Sequence, residues 1–337
     1  MEIKILTDIK IMQSEEWCRT TVHVDDINFL KTNLSEIKMK FSENIIYRGL
    51  KYIVLTLNMR KFDVFISGNL HMAQFIGFIR KIFRIKYPIH IILEFRLDKN
   101  SPKILWNMKR MFQNYAFSSV DLIVVSSTGE IEMYSGNNRL NISREKLKYI
   151  PFHTNITTPR KINNNENYIL SAGKAGRDYA LLINAVRNMD VAVKIVSDGD
   201  SVAGITIPEN VRLYINIPYS EYMKLLEKCT FVVVPLKDLP MSIGQVVILE
   251  AMALGKAVIA TRTIGTVDYI QNFHNGLLIE HNDPRELKEA ISLLMGDDVL
   301  RKKLTDNALK SVNDLHTFDI YIKNILELAR NCASGKR

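Results

Sequence analysis

Residues 239–260 read LPMSIGQVVILEAMALGKAVIA, and this stretch predicts a loop, a helix, a tight turn and a buried strand in that order. Ser242 and Gln245 have the spacing of a capping box, in which two side chains satisfy backbone N–H groups at the start of a helix. The helix is expected from about Gly244 to Leu254. Gly255 suits the left-handed residue that ends a helix, and the apolar residues that follow suit an interior parallel strand.

Glu250 is the single charged residue between Val246 and Leu254. Its neighbours are apolar, so the helix is expected to be largely buried, and a buried carboxylate needs a polar partner. From the residues alone two interpretations of Glu250 stay open, a surface carboxylate at the helix edge or a ligand-binding group. Ser242 has a purely structural interpretation as a helix cap.

The run from Ser242 to Ala260, with Gly265 and residues 275–279, resembles the donor-binding segment of retaining GT-B glycosyltransferases of family 4, the glycosyl transferases group 1. In that family two glutamates lie at the start and in the middle of this helix. Glu250 matches the second glutamate, which typically binds the ribose hydroxyls of a sugar nucleotide, whereas Ser242 replaces the first, which usually contacts the donor sugar. The resemblance implies that the donor sugar is contacted by Ser242, Gly244, Gln245 and Val246.

Composition indicates an ordinary globular protein. The chain has 337 residues, 47% hydrophobic and 24% charged, which is enough for two cores. Its three cysteines lack metal-ligand spacing and favour free thiols in a reducing compartment. No signal peptide is evident and no apolar run reaches the ~18 residues of a membrane span, so a cytoplasmic protein, peripheral on the inner face of the membrane at most, is expected.

The net charge of +9 is carried by the first half of the chain. Residues 1–165 contain 25 Lys and Arg against 15 Asp and Glu, a balance of +10, whereas the remainder contains 20 against 21, a balance of −1. The excess concentrates between Arg80 and Arg110, and apolar residues interleave with it, as in FIGFIRKIFRIK at 75–86. Such a segment is typical of an anionic membrane surface. A solvated helix face is the alternative, and no nucleic-acid-binding motif is present.

Apolar strands alternate with helices along both halves, which predicts doubly wound parallel sheets. The fold class implied by the resemblance is α/β, GT-B, with two Rossmann-like domains that face a cleft. The predicted parts are an N-terminal acceptor domain at 1–155, a polar linker at 156–167, a nucleotide-sugar donor domain at 168–315, and a C-terminal helix at 316–337 that packs back towards the first domain.

A candidate anion-binding element follows the predicted strand Tyr168–Ala172. The turn at 173–178 contains glycines and opens a helix, so its backbone N–H groups and the positive helix end suit a phosphate. Two solvated cations are the alternative. The resemblance implies that Gly173, Lys174 and Arg177 hold the donor diphosphate, and that the loop Ile215, Asn216 and Ile217 packs against the nucleotide base.

The N-terminal half gives weaker signals. Many family members carry a catalytic-site histidine just after the strand assigned here to His90–Phe95, where this chain has Glu94 and Arg96. These two residues are the catalytic candidates, and a structural ion pair is the alternative for them.

The activity that the resemblance implies is that of a retaining, metal-independent hexosyltransferase without a cofactor. Its donor would be a UDP-sugar or a GDP-sugar and its acceptor a glycan or lipid-linked sugar at the membrane surface, in polysaccharide or glycolipid biosynthesis. No metal site and no nucleic-acid partner are expected. A non-catalytic GT-B binding or scaffold module and a sugar-nucleotide 2-epimerase are the alternatives.

Overall fold

The structure is a computed structural model, and it describes residues 3–9, 26–29, 52–53, 56–95, 103–136, 140–162 and 166–335. It divides into two compact units. The first comprises Met1–Ile150 with Ile322–Arg337, and the second comprises Pro151–Tyr321. The described residues of the predicted linker, 156–162 and 166–167, therefore lie within the second unit.

The first unit contains, among its described residues, a six-stranded parallel sheet in the order β2-β1-β3-β4-β5-β6. Its central strands are short, mostly apolar runs buried along their whole length, as expected of parallel strands covered on both faces. The strands are β1 Lys4–Thr7, β2 Asp26–Phe29, β3 Val64–Ser67, β4 Ile89–Ile92, β5 Leu122–Val125 and β6 Leu147–Tyr149, and the helices are α1 Leu70–Ile82, α2 Lys103–Phe117 and α3 Thr128–Ser135.

Helix α1 starts at a side-chain cap, since the Asn69 side chain accepts a hydrogen bond of 3.1 Å from the Met72 N–H. It packs closely against α2 at Gly77, where an added Cβ would lie 2.6 Å from the Ala116 carbonyl oxygen. The two helices therefore lie side by side, and their partly exposed aromatic side chains meet, with the Phe78 and Phe112 ring centroids 5.1 Å apart.

One basic residue of α1 is structural. Arg80 is 2% exposed, donates to the carbonyl oxygens of Pro88 and Lys86, and forms an ion pair of 3.0 Å with Asp121. Burial lowers its pKa, although the neighbouring Asp121 opposes the shift. The prediction that Arg80 belongs to a lipid-facing surface is therefore wrong, because its guanidinium is buried inside the unit and paired with Asp121.

The second unit contains, within the described part of the chain, a six-stranded parallel sheet in the order β12-β11-β10-β7-β8-β9. Counted from β7, this is the Rossmann order 3-2-1-4-5-6, whose ligand crevice lies at the carboxyl ends of the strands, where the order reverses between β7 and β10. The strands are β7 Tyr168–Ala172, β8 Ala192–Ser197, β9 Val211–Ile215, β10 Phe231–Val234, β11 Ala257–Thr261 and β12 Leu277–Ile279, and the helices are α4 Tyr179–Val186, α5 Tyr219–Lys228, α6 Gln245–Ala253, α7 Pro284–Gly296 and α8 Asp298–Leu315. The last helix, α9 Phe318–Gly335, begins in the second unit, and its residues from Ile322 onward belong to the first unit.

Helix α6 is the predicted buried helix, and Gly255, at φ 65°, ends it as expected. The predicted capping box is wrong. Gly244, at φ 96°, is the N-cap residue in place of Ser242, and a glycine has no side chain with which to cap the helix. The Gln245 amide instead donates a hydrogen bond of 3.1 Å to the Gly265 carbonyl oxygen.

The physical reason for the different start of α6 is a close approach of two loops. A Cβ added to Gly265 would lie 2.8 Å from the Ser242 Cα atom, so the chain segments before α6 and after β11 are in direct contact. Residues 264–269, at this contact, form consecutive turns.

Candidate functional site

A pocket of about 540 Å³ lies at the carboxyl edge of the second sheet. Residues that end or directly follow β7, β8 and β9 form one part of its wall, and the first turns of α5 and α6 form the other. This is the edge at which Rossmann-ordered sheets bind ligands. The pocket is lined by Asn155, Ala172, Gly173, Lys174, Val196, Ser197, Asp198, Asn216, Ile217, Tyr219, Tyr222, Val246, Val247 and Glu250.

The pocket brings together six of the residues that the sequence assigned to a donor site, from segments far apart in the chain. The remaining assigned residues of the second unit do not line it. The six are Gly173, Lys174, Asn216, Ile217, Val246 and Glu250, and the others are Arg177, Ile215, Ser242, Gly244 and Gln245.

The turn after β7 is fixed by two side-chain hydrogen bonds to one carbonyl group. The Gly173 carbonyl oxygen accepts hydrogen bonds from the Tyr179 hydroxyl and, at 3.1 Å, from the Ser197 hydroxyl. Gly173 has a φ of 110°, and a Cβ at this position would collide with the Arg177 guanidinium. The turn therefore requires glycine, both for its backbone conformation and for the close approach of Arg177.

Arg177 supports this turn from inside. It is 7% exposed, and its guanidinium donates to the carbonyl oxygens of Ala172, at 2.8 Å, and Ala175, at 3.1 Å. Burial lowers its pKa. Direct contact between Arg177 and a diphosphate stays a prediction, and the observed contacts make Arg177 a support of the turn backbone.

Lys174 and Asp198 bring opposite charges to the pocket wall. Hydrogen bonds from the Ser201 hydroxyl and N–H hold the pKa of Asp198 below its ordinary value, and the charge of Lys174 adds to the effect. The Ser201 hydroxyl oxygen also lies 3.4 Å from the Lys174 carbonyl oxygen. Ser201 thus links the two charged residues.

Glu250 is buried, at 1% exposure, and three donors converge on its carboxylate. Its Oε1 atom accepts from Asn155 Nδ2 at 3.1 Å and from the Tyr219 hydroxyl at 2.8 Å, while Oε2 accepts from the Tyr222 hydroxyl at 2.9 Å. Burial, reinforced by the charge of Glu250, raises the pKa of both tyrosines, so both hydroxyls stay protonated and donate. The interpretation of Glu250 as a surface carboxylate is excluded.

Sequence reasoning missed these three partners of Glu250. A signal existed for Tyr219 and Tyr222, because residues three apart on a helix share a face and both follow the predicted base-contacting loop. Asn155 lies 95 positions from Glu250, and nothing in the local sequence connects the two residues.

The predicted base-contacting loop is held in a tight turn. Asn216 has a φ of 52°, and its N–H donates a hydrogen bond of 2.9 Å to the Ser197 carbonyl oxygen. Ile215 is 40% exposed at the end of β9 but does not line the pocket, whereas Asn216 and Ile217 do. An apolar side chain next to backbone polar groups is the usual composition of a base-binding surface.

The residues predicted to contact the donor sugar are mostly enclosed. Ser242 is fully buried, and the Gln245 amide is occupied by the Gly265 carbonyl group. Val246, 37% exposed, is the one of the four assigned residues that lines the pocket. The sugar-binding role of the other three stays a prediction.

In the first unit, Glu94 is exposed in a turn directly after β4, with a φ of 50°. Arg96 lies outside the described residues. Asp8, which the sequence reasoning missed, follows β1 and accepts the N–H groups of Gly68, at 2.7 Å, and Asn69, at 3.2 Å. Burial raises the pKa of Asp8, and these hydrogen bonds oppose the shift. Its signal in the sequence is its position just after the first strand.

Two searches of the described residues gave negative results. No three side chains among His, Cys, Asp and Glu come together there in an arrangement that could hold a metal ion. None of the described helices combines the length and the apolar character needed to cross a membrane.

Comparison with known proteins finds sequence similarity to a family in the second unit. Residues 154–311 match the family model described as glycosyl transferases group 1. An uncharacterized glycosyltransferase of Methanocaldococcus jannaschii is 34% identical over 133 residues, which is 38% of this chain and 37% of that protein.

A transferase of Campylobacter jejuni, N,N'-diacetylbacillosaminyl-diphospho-undecaprenol alpha-1,3-N-acetylgalactosaminyltransferase, is 32% identical over 118 residues, which is 32% of this chain and 30% of that protein. The matched segments thus span about a third of the length of these relatives.

Solved structures resemble the chain over nearly its whole length. A glycosyltransferase from Rickettsia africae superposes with a TM-score of 0.68 at 15% identity and covers 98% of both chains. Anabaena HepE in complex with UDP-glucose superposes with a TM-score of 0.67 at 14% identity and covers 98% of this chain and 100% of its own. The chain therefore has the GT-B fold, as the sequence predicted, and its residues 154–311 match the glycosyl transferases group 1.

Proposed function

We propose that this protein is a retaining, metal-independent glycosyltransferase that moves a sugar from a nucleotide-sugar donor to a lipid-linked or glycan acceptor. The observation that carries the proposal is the pocket of the second unit. It combines a buried carboxylate, Glu250, with a glycine turn and a cation, Lys174, at the strand edge where this sheet order binds ligands.

The base, the ribose and the diphosphate of a sugar nucleotide each have a complementary group in this pocket. Glu250 would accept a hydrogen bond from a ribose hydroxyl, and the loop at Asn216 and Ile217 would contact the base. The diphosphate would lie at the Gly173 turn, where Lys174 supplies positive charge and the start of α6 supplies backbone N–H groups. The proteins with related folds include one solved with UDP and with UDP-glucose, which favours a uridine nucleotide as the first donor to test.

The reaction follows from positioning and electrostatics. The bond between the anomeric carbon and the diphosphate oxygen breaks, and the acceptor hydroxyl oxygen forms the new bond on the same face of the sugar. The acceptor proton passes to the departing diphosphate, whose negative charge Lys174 stabilises. Such positioning and cationic stabilisation are established sources of rate enhancement.

A lipid-linked acceptor is supported by a relative and by the surface of the first unit. The Campylobacter jejuni relative is named for a diphospho-undecaprenol substrate. Helices α1 and α2 expose large apolar side chains next to cations, and we name this the basic apolar surface. Its apolar members are Phe75, Ile82, Phe83, Met108, Met111 and Tyr115, and its exposed cations are Lys81, Arg84, Lys86 and Lys109.

We expect the basic apolar surface to bind anionic membranes, because apolar insertion and attraction of cations to lipid head groups act together. Flotation with vesicles of phosphatidylcholine, with and without phosphatidylglycerol, tests this. Joint reversal of Lys81, Arg84 and Lys86 to Glu should abolish binding to the anionic vesicles. Equal flotation of this variant and the wild type would refute the membrane proposal. Arg80 is left unchanged because its buried ion pair supports the fold.

The enzymatic proposal is tested by calorimetry and by turnover. We expect the wild type to bind UDP or GDP and to release it from the matching nucleotide sugar in the presence of an undecaprenyl-diphosphate-linked sugar. Lys174→Ala should weaken nucleotide binding, whereas Lys288→Ala, at an exposed position of α7, should not. A folded wild-type protein that binds no nucleotide or nucleotide sugar at millimolar concentration would refute the proposal.

A second candidate function is a non-catalytic binding module, favoured by one specific observation. Ser242 stands where the resemblance implies a sugar-contacting glutamate, and it is fully buried. Nucleotide-sugar binding without transfer or release of nucleotide, over a panel of lipid-linked and glycan acceptors, would select this candidate.

A further inference from the structure

The carboxylate of Glu250 has an outer and an inner oxygen. Oε1 receives hydrogen bonds from Asn155 and Tyr219, both of which are exposed residues, with Tyr219 at 55%. Oε2 receives its hydrogen bond from Tyr222, which is 7% exposed. Oε1 is therefore the atom that a ligand entering from solvent approaches.

Both acceptor positions of Oε1 are filled in the free protein. A carboxylate oxygen accepts two strong hydrogen bonds through its two lone pairs, and Asn155 and Tyr219 provide two. Glu250 itself is 1% exposed. A ribose hydroxyl can reach Oε1 only if one of these donors leaves.

We propose that the Tyr219 hydroxyl occupies the ribose position on Glu250 and that nucleotide binding displaces it, while Tyr222 holds the inner oxygen throughout. This inference rests on the proposed function. Tyr219 begins α5 and is more than half exposed, so its side chain can turn into solvent without disturbing a packed core. Its hydroxyl then forms a hydrogen bond to water. The free energy of that bond nearly offsets the loss of the bond to Glu250, which the ribose hydroxyl replaces.

Tyr219 also lies two residues after Ile217, which is predicted to contact the base, and both residues line the same pocket. A nucleoside with its base on Ile217 would place its ribose next to Tyr219. Tyr222, one helical turn further along α5, donates to the same carboxylate from a buried position and provides a matched control.

The two tyrosines should therefore respond oppositely to loss of the hydroxyl. Tyr219→Phe removes a donor that the ligand must displace, so UDP should bind roughly 3- to 10-fold more tightly, as expected when about one net hydrogen bond no longer opposes binding. Tyr222→Phe leaves the inner oxygen of Glu250 without its buried donor, so UDP should bind more weakly and the protein should melt at a lower temperature.

The experiment is calorimetric titration of the full chain and both variants with UDP, 2'-deoxy-UDP and 3'-deoxy-UDP, and with the guanosine series if UDP does not bind. The gain from Tyr219→Phe should disappear with the one deoxy analogue that lacks the displacing hydroxyl. A purely structural role for Tyr219 would not produce that dependence.

The contrary outcomes are distinct. Equal or weaker binding of UDP by Tyr219→Phe, with normal binding by the wild type, overturns the assignment of Tyr219 and leaves the proposed function standing. If Asn155→Ala binds UDP more tightly and Tyr219→Phe does not, Asn155 is the displaced donor and the assignment of Tyr219 is overturned. A wild type that binds neither nucleotide overturns both proposals.

Discussion

Replacement of Glu250 by glutamine separates the role of its charge from the role of its shape. Gln is isosteric with Glu, so its amide oxygen can still accept from Asn155 and Tyr219, and its amide nitrogen can donate to the Tyr222 oxygen once that hydroxyl rotates. The Asn155 and Tyr219 donors thus keep their acceptor, whereas the Tyr222 oxygen changes from donor to acceptor at this contact.

The stability change follows from two opposing terms. Three hydrogen bonds to a charged acceptor become neutral, at a loss of about 1 kcal/mol each. Burial of a full charge is no longer required, and this relief also amounts to several kcal/mol. Because the terms oppose each other, we expect the free energy of unfolding of Glu250→Gln to stay within ~1 kcal/mol of the wild type.

Binding should respond far more than stability. A ribose hydroxyl that donates to an amide oxygen in place of a carboxylate loses about 1–2 kcal/mol, which weakens nucleotide binding roughly 5- to 30-fold. Glu250→Ala, in contrast, leaves the buried Tyr222 hydroxyl without an acceptor and creates a cavity in α6, so it should lower the unfolding free energy by about 3–5 kcal/mol.

The measurements are urea denaturation for stability and calorimetric titration with UDP or GDP for affinity. Glu289→Gln, at an exposed position of α7, is the matched control and should change neither quantity. A folded Glu250→Gln protein that binds nucleotide as tightly as the wild type would refute the assignment of Glu250 as the ribose ligand. A Glu250→Ala protein as stable as the wild type would refute the structural part of the reasoning.

Three further predictions concern stability. Arg80→Ala should lower the free energy of unfolding by about 3–5 kcal/mol, because it removes the cation that pairs with the Asp121 carboxylate, whereas Lys81→Ala should change it by less than ~0.5 kcal/mol in the same urea titration. Gly77→Ala should lower the free energy of unfolding by about 1–3 kcal/mol, because the added methyl group meets a carbonyl group of the neighbouring helix. Gly296→Ala has open space around the added methyl group and should not destabilise the protein, and thermal melts compare the two variants. Burial lowers the pKa of His316, so the imidazole takes up a proton more readily in the unfolded chain than in the folded protein. The melting temperature should therefore fall as the pH drops below about 6.5. His316→Asn should flatten this pH dependence, and an unchanged slope in the variant would contradict the assignment to His316.

Local patterns predicted α6 and β11 well, because their signals are contained in consecutive residues. A long apolar run gives the helix, a glycine at the left-handed position ends it, and a second apolar run gives the strand. The capping box failed for the opposite reason. The Gln245 amide finds its partner at Gly265, 20 residues away, and such a tertiary contact leaves no trace in the spacing of Ser242 and Gln245.

The candidate site shows the same division. The need of Glu250 for a partner was predictable from burial, but the partners were not, since they come from α5 and from a loop 95 residues earlier. The basic segment was predictable as a charge pattern. Its division into exposed cations and the buried Arg80 was not, because it depends on which residues of α1 face Asp121.

The contacts around Glu250 and Ser242 bear on where donor specificity would arise. At the nucleoside end, hydrogen bonds fix the Glu250 carboxylate and the turn that carries Asn216, so this part of the pocket is preorganised for one ligand geometry. At the predicted sugar end, Ser242 is buried and the Gln245 amide is already bonded, so Val246 and backbone groups remain. If the pocket holds a sugar nucleotide, its binding energy therefore comes mainly from the nucleotide. A pocket wall of this kind discriminates between sugars by shape, at about 1–3 kcal/mol per methylene-sized group, and less by buried hydrogen bonds.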